Sequence, residues 1–312
     1  MSPGVATAGF QRASVVRAVG ELRAVLAPAR RAGRTIGLVP TMGALHAGHL
    51  SLIERARHEC EVVVVSLFVN PSQFDERADL DRYPRDEARD RELAGDAGAD
   101  ILFAPDVEEV YPDGFATAVE VLGLTDRLEG SVRGVSHFRG VTTVVTKLLN
   151  MAAPDVAYFG QKDAQQAIVI GRLVRDLNLP VRIETCPTVR ESDGLAMSSR
   201  NARLSPAERE RAVALFRGLD AARAALLEGE RASGALIRRS RSAMAALGVE
   251  PEYLELVDPH TLEPVASLSE PALMVLAARI GETRLIDNFL LDPSGQAPPQ
   301  KQDLAVTADH PH

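Results

Sequence analysis

Apolar runs and polar breaks alternate along the chain, dividing it into short strands and amphipathic helices. Residues Ser14–Ala32 carry Val15, Val16, Val19, Leu22, Val25 and Leu26 at helical spacing. Ser14 stands where a helix N-cap belongs, and Gly33 closes the predicted helix. Thr35–Pro40 is a short apolar run and predicts a buried strand. Pro40, Gly43 and Gly48 break it before Leu50, Ile53 and Arg57 resume a helical period. Val62–Val69 is almost continuously β-branched, as expected of a strand covered on both faces of a parallel sheet. The densely charged stretch Asp75–Arg91 reads as a solvated face, and Asp86–Ala97 continues it as a helix. Ile101–Ala104 predicts another strand. A glycine-rich, charged linker within Glu120–Arg139 then precedes a helix from Gly140 to Met151. Asp155–Phe159, a helix through Ala167–Asn178, and Val181–Thr185 repeat the strand–helix–strand unit.

From Ser205 the pattern changes. Ala/Arg/Glu-rich helices over Ser205–Glu230 and Ser233–Leu247 are followed by strand candidates Tyr253–Val257, Ala272–Ala278 and Thr283–Asn288. Helices and then strands predict a smaller α+β unit rather than more parallel sheet. The expected organisation is an α/β domain over 1–188, a smaller α+β lid domain over 189–292, and a disordered tail over 293–312. The tail is Pro/Gln/Asp-rich, and its His310 and His312 read as parts of a flexible end rather than as metal ligands.

Composition narrows the function classes. The 312-residue chain has room for two domains and a substantial core. A formal charge of −8 argues against a general nucleic-acid surface, while leaving room for a local basic pocket. Cys60 and Cys186 stand far apart without a CxxC spacing, so they read as small core residues rather than a disulfide or thiolate site. The N-terminal stretch lacks a continuous apolar region, and Val62–Val69 is too short to span a bilayer. The expected setting is the cytoplasm, with no membrane partner.

Candidate chemistry gathers at two strand–turn–helix junctions. His46-Ala47-Gly48-His49 places two imidazoles on one side of a first helical turn, with a glycine between them. Such a helix entrance attracts anions, and histidines there can donate to phosphate oxygens. The second junction is Gly160-Gln161-Lys162-Asp163-Ala164-Gln165-Gln166. Lys162 stands where an ammonium meets a phosphate; Asp163 stands where a carboxylate caps the helix or receives a ribose hydroxyl. Met197-Ser198-Ser199-Arg200 follows the turn signal Asp193-Gly194 and suits a mobile anion clamp. Asn70–Phe74 is a polar loop at the C-terminal edge of a strand, where open α/β sheets bind ligands.

Taken in order, VPTMGALHAGHLSLI, SLFVNPSQF, HFRGVTTVVTKLLN, YFGQKDAQQ and VRESDGLAMSSRN closely resemble the pantothenate synthetase (pantoate–β-alanine ligase) family. YLELVDPHTLEPV and ARIGETRLIDN extend the resemblance to Asp292. It implies a Rossmann-like parallel sheet with helices on both faces. The implied activity is ATP-dependent condensation of pantoate with β-alanine through a pantoyl adenylate, releasing AMP and diphosphate. By that resemblance Thr41, Met42, Gly43, Ala44, Leu45, His46, Ala47, Gly48 and His49 match the first ATP segment. His49 is then the foremost candidate for proton donation or transition-state stabilisation. Gly160, Gln161, Lys162 and Asp163 match the second segment, and Val189 a backbone contact to adenine. Met197, Ser198, Ser199 and Arg200 match the loop that closes on the triphosphate, with Arg200 grouped with His46, His49 and Lys162 as catalytic. Gln73 and Gln166 match the pantoate-binding amides, Gln73 also lying near β-alanine. Magnesium is expected to arrive on ATP without a dedicated protein cage. The family also implies a homodimer.

The chain departs from the usual family pattern at two places. Gln161 and Ala164 stand where the family has Glu and an aromatic, and three residues rather than two separate Arg133 from His137. Two other readings share parts of the pattern. An adenylyltransferase would keep the strand–HxGH–helix element but not the paired glutamines; an idle nucleotide-binding protein would not need His46, His49, Lys162 and Arg200 intact.

Overall fold

The computed structural model describes residues 13–74, 80, 81 and 83–294. The predicted tail beyond Ser294, with His310 and His312, lies outside the described residues, as does part of the charged stretch after Phe74. Strands β1 (Ser14–Val16), β2 (Ile36–Thr41), β3 (Val62–Leu67), β4 (Ile101–Phe103), β5 (Val156–Gly160) and β6 (Arg182–Cys186) form one parallel sheet. Its order is β1-β4-β3-β2-β5-β6. The chain moves outward from β2 through β3, then returns to place β5 on β2's other side. That reversal leaves a crevice above the carboxyl ends of β2 and β5.

Alternate residues of each strand serve opposite layers, as the strand period of two requires. Ile36, Leu38, Val62 and Val64 pack with α1 (Val19–Arg31) and with two later helices. Val39, Val63 and Val65 pack with α2 (Ala47–Glu59) and α3 (Glu87–Asp96). Cys60 and Cys186 are buried in this second layer, as expected of small core residues. The short helix α4 (Val107–Val110) follows β4, and its Glu109 carboxylate accepts from Val19 N at 2.8 Å.

Ser14 does not cap α1. Ser14–Val16 is the edge strand β1, in register with Ile101–Phe103, and the helix begins at Val19 behind Ala18. Three residues fit either period; pairing with β4 and the cap supplied by Glu109 decide between them. The predicted linker is also largely helical. Its residues form α5 (Glu129–Arg133), a joint at Gly134 with φ +82°, and α6 (Val135–Ala152). Gly140 therefore starts no helix; a Cβ there would meet the Ser72 carbonyl oxygen at 2.4 Å, so this glycine lets α6 lie against the loop after β3.

Helix α7 (Ala164–Asp176) follows β5 and completes the first layer. Helices α8 (Pro206–Ala212), α9 (Ala214–Leu227) and α10 (Ser233–Ala245) lead to the antiparallel sheet β7 (Pro251–Val257), β8 (Ala272–Ile280) and β9 (Thr283–Leu291). Met274, Leu276 and Ala278 of β8 face α9 and α10. Leu273 and Val275, with Val257 of β7, join the core that holds α1, α6 and α7. The smaller sheet is thus buried on both sides and covers one flank of the crevice.

One member of the charged stretch is not solvated. Asp90 on α3 is 2% exposed, and its carboxylate accepts from Ala44 N at 2.9 Å and Leu45 N at 2.8 Å. It anchors the turn after β2, where Gly43 has φ +87° and Ala44 φ +51°. Burial pushes the Asp90 carboxyl above its usual range, against the pull of those two N–H donors. Asp90→Ala leaves the buried Leu45 donor and the part-buried Ala44 donor without their acceptor, so urea unfolding should show a loss of about 2 kcal/mol.

Candidate active site

A cleft of about 1170 Å³ opens above the carboxyl ends of β2, β3, β5 and β6. It gathers Thr41, Met42, His46, Gly48 and His49 from the first predicted segment with Gly160, Lys162 and Asp163 from the second. Val189, Met197, Ser198, Ser199 and Arg200 line it as well, with Gln73 and Gln166. Five predicted residues do not line it: Gly43, Ala44, Leu45, Ala47 and Gln161. The N–H groups of Ala44 and Leu45 are held by Asp90, so they support the site rather than face a ligand. Gln161 is 3% exposed, and its amide turns towards Asn288 of β9.

His46 is the N-cap of α2, and its Nδ1 accepts from Gly48 N at 3.2 Å. That bond places the proton of the neutral ring on Nε2, making it a donor. The His46 and His49 rings lie with centroids 4.1 Å apart. Gly48 is needed between them, because a Cβ there would stand 2.9 Å from the His46 ring. Burial and the Lys162 ammonium lower the His46 pKa. His49 falls further, to about 3, through burial and then the neighbouring His46. Its Nδ1 is buried without a hydrogen-bond partner among the described residues. Both rings are therefore neutral donors at neutral pH, and negative charge arriving between them would favour their protonated forms.

Lys162 and Asp163 stand on a 3₁₀ turn (Gln161–Asp163) between β5 and α7. Asp163 occupies the N-cap position of α7, but its side chain makes no cap bond; it meets Lys162 Nζ at 3.6 Å. Burial would raise its pKa, yet Lys162, Arg200 and Arg133 outweigh that and hold it below the usual range. The carboxylate is thus charged and available as an acceptor. Ser198 caps a second 3₁₀ turn (Ser199–Arg203), accepting from Arg200 N at 3.2 Å. Met197 N donates to Val189 O at 3.0 Å, so Val189 and the Met197–Arg200 segment belong to one folded hairpin.

Gln73 sits on a short 3₁₀ turn (Pro71–Gln73) after β3. Its amide donates to Met42 Sδ at 2.7 Å and accepts from Asn70 Nδ2 at 3.2 Å. Asn70 is 1% exposed and also donates to Gly140 O at 3.1 Å. The sequence marked this loop as a ligand edge but did not reveal that Asn70 holds it to α6. Sequence reasoning also missed Glu129. Its carboxylate takes two bonds from Arg284 of β9 at 2.7 and 2.8 Å and one from Tyr253 of β7 at 2.7 Å. Arg133 lies 3.4 Å from the same carboxylate and reaches His137, whose Nδ1 contacts Gln73 O at 2.8 Å. Burial and the nearby Arg200 lower the Arg133 pKa. No local motif signals Glu129, since its partners on the smaller sheet are over a hundred residues away.

The depressed histidine makes stability depend on pH. Below the unfolded-state value of 6.5 the unfolded chain protonates position 49, while the folded chain resists until about 3. Folding stability is therefore lost on acidification through that window, by up to about 1.4 kcal/mol per pH unit. Urea midpoints measured between pH 7 and about 5 should fall less steeply for His49→Phe than for the wild type.

A family profile described as pantoate–β-alanine ligase matches residues 14–290. Pantothenate synthetase 1 of Bradyrhizobium diazoefficiens is 55% identical over 278 residues, covering 89% of this chain and 98% of that protein. The crystal structure of pantothenate synthetase from Thermus thermophilus superimposes with a TM-score of 0.84 at 49% identity, covering 88% and 98% of the two chains. A pantoate–β-alanine ligase from Francisella tularensis, complexed with β,γ ATP and β-alanine, gives 0.72 at 33% identity, covering 89% and 97%. Through its two sheets and the cleft between them, the chain belongs to the pantoate–β-alanine ligase family.

Proposed function

We propose that this ligase condenses (R)-pantoate with β-alanine in the cleft, using ATP and releasing AMP and diphosphate. A carboxylate is a poor acyl donor because oxide would have to leave. In the first step a pantoate carboxylate oxygen bonds to the α-phosphorus. The bond from that phosphorus to the bridging oxygen breaks, and diphosphate leaves with the electron pair. In the second step the β-alanine amine bonds to the acyl carbon, the bond to AMP breaks, and the amine proton goes to solvent. Neither step needs a covalent protein nucleophile. The protein's task is in-line positioning and charge stabilisation.

The observation that carries this reading is one cleft holding paired imidazoles, Lys162, Arg200 and two neutral amides. His46 and His49 donate to phosphate oxygens as charge grows on them, with Lys162 and Arg200 as fixed cations. Asp163 receives the ribose hydroxyls, and the backbone at Val189 receives adenine. Gln73 and Gln166 bind pantoate, Gln73 also bordering the β-alanine position. Magnesium enters on ATP. Of the four carboxylates lining the cleft, Glu129 and Asp287 are paired with arginines and Asp163 with Lys162, so phosphate oxygens and water are its natural ligands. In this reading residues 189–292 act as the lid over a nucleotide domain formed by 1–188. Family resemblance further leads us to expect a homodimer in the cytoplasm. Among the described residues no helix is long and apolar enough to cross a membrane.

The deciding experiment is exchange of labelled diphosphate into ATP. Exchange that requires pantoate, followed by AMP release on adding β-alanine, is the expected result. An adenylyltransferase would instead retain AMP on its product. Absence of AMP release with all three substrates, in folded protein that binds ATP, would refute the ligase reading. Lys162→Ala should lower adenylation at least about a hundredfold without unfolding the chain. Near-normal exchange in that variant would remove Lys162 from the phosphate site. Gln166→Ala should raise the pantoate KM by about tenfold while changing the ATP KM by less than about twofold. Equal losses for both substrates would point to a structural role for that amide.

A further inference from the structure

The turn that carries Lys162 is supported from the other sheet. A short 3₁₀ turn has poor internal hydrogen-bond geometry, so its carbonyls need outside donors. Asn288 of β9 supplies them. Its Nδ2 donates to Gln161 O at 2.8 Å and to Lys162 O at 3.0 Å, while its Oδ1 accepts from Gln161 Nε2 at 3.4 Å. Asn288 is only 4% exposed, so no bulk water replaces these bonds. The preceding residue fixes Asn288 in turn. Asp287 is 2% exposed, and its Oδ1 accepts from Asn288 N at 2.8 Å. The Asp287 carboxylate also takes two bonds from Arg190, at 2.7 and 2.8 Å. Arg190 follows Val189 and lies over the Phe216 and Phe289 rings. Two adjacent residues of β9 therefore hold both edges of the cleft.

From these contacts we infer that Asn288 is a positioning residue for Lys162. It acts through the backbone: pinning the Gln161 and Lys162 carbonyls sets the direction in which the long lysine stem leaves the turn. A lysine ammonium on a flexible four-carbon stem is a point charge whose placement depends on its base. A small rotation of the turn would move that charge away from the phosphates, and positioning errors of this kind slow the chemical step. Arg190 and Asp287 keep the supporting strand in register with the hairpin on the opposite edge. The inference rests on the proposed contact of Lys162 with the triphosphate.

The test is a double-mutant cycle in pantoate-dependent diphosphate exchange, using the full chain as wild type, Asn288→Ala, Lys162→Ala and the double variant. In the wild-type background Asn288→Ala should lower kcat by about tenfold or more while leaving the pantoate KM within about twofold. In the Lys162→Ala background it should cost less than about twofold more, because the group it positions is gone. An equal loss in both backgrounds, or no loss in the first, overturns the inference. If Asn288→Ala does not fold, Asn288→Asp carries the same cycle at equal shape. Its carboxylate faces two carbonyl oxygens, so its exchange rate should recover as pH falls and the carboxyl gains a proton to donate; a loss that does not change with pH overturns the inference. Wild type that folds and binds ATP but exchanges no label with pantoate present, and releases no AMP with all three substrates, refutes the functional reading instead. That result is read from the wild type alone.

Discussion

The parallel pairing of β2 with β5 is the constraint on which the rest depends. Gly37 and Leu38 register with Val156 and Ala157, and Asp155 bonds Ile36 through both its backbone and its carboxylate. The chain leaves β2 towards β3 on one side and returns to β5 on the other. The turns after the two strands therefore diverge. The paired imidazoles rise from the first and Lys162 from the second, with a crevice between them. Without that pairing, residues more than a hundred positions apart would not share a site.

Electrostatics then sharpen the crevice. A chain of net charge −8 concentrates Lys162, Arg133 and Arg200 around a single cleft. Burial and, of these cations, Lys162 keep His46 neutral, and burial and the neighbouring His46 keep His49 so; the cleft thereby avoids further buried positive charge. The same cations keep Asp163 ionised. In the proposed reading, an incoming polyphosphate would reverse this balance by stabilising every donor at once. Charge complementarity of this kind is prepared in the fold rather than created by the ligand.

The smaller sheet fixes the walls. The Arg284 pair with Glu129 and the Arg190 pair with Asp287 are both largely buried. Such pairs add little net stability once desolvation is counted, but removing one partner is costly. Their effect here is geometric. Each bidentate fork allows one alignment of β9 against α5 or against the hairpin after β6.

Much of this was readable in the chain itself. The β-branched run of β3, the short apolar run of β2 and the glycine-bearing turns specify a parallel sheet covered on both faces, because strand and helix patterns are local properties. The HxGH spacing and the Lys162 turn mark helix entrances for the same reason. The tertiary structure decided whatever depends on distant partners. Ser14 joined β4 rather than capping a helix, since three residues carry no period of their own. The linker folded into α5 and α6, with Gly140 chosen for close approach to Ser72 rather than for breaking a helix. Asp90 left the charged face to hold Ala44 and Leu45, and Glu129 and Asn288 reached across to partners on other elements. Local pattern determines which elements form and which ends carry chemistry. Long-range burial and hydrogen bonding decide which polar residues support them, because an unpaired buried polar group is costly and its partner lies far along the chain.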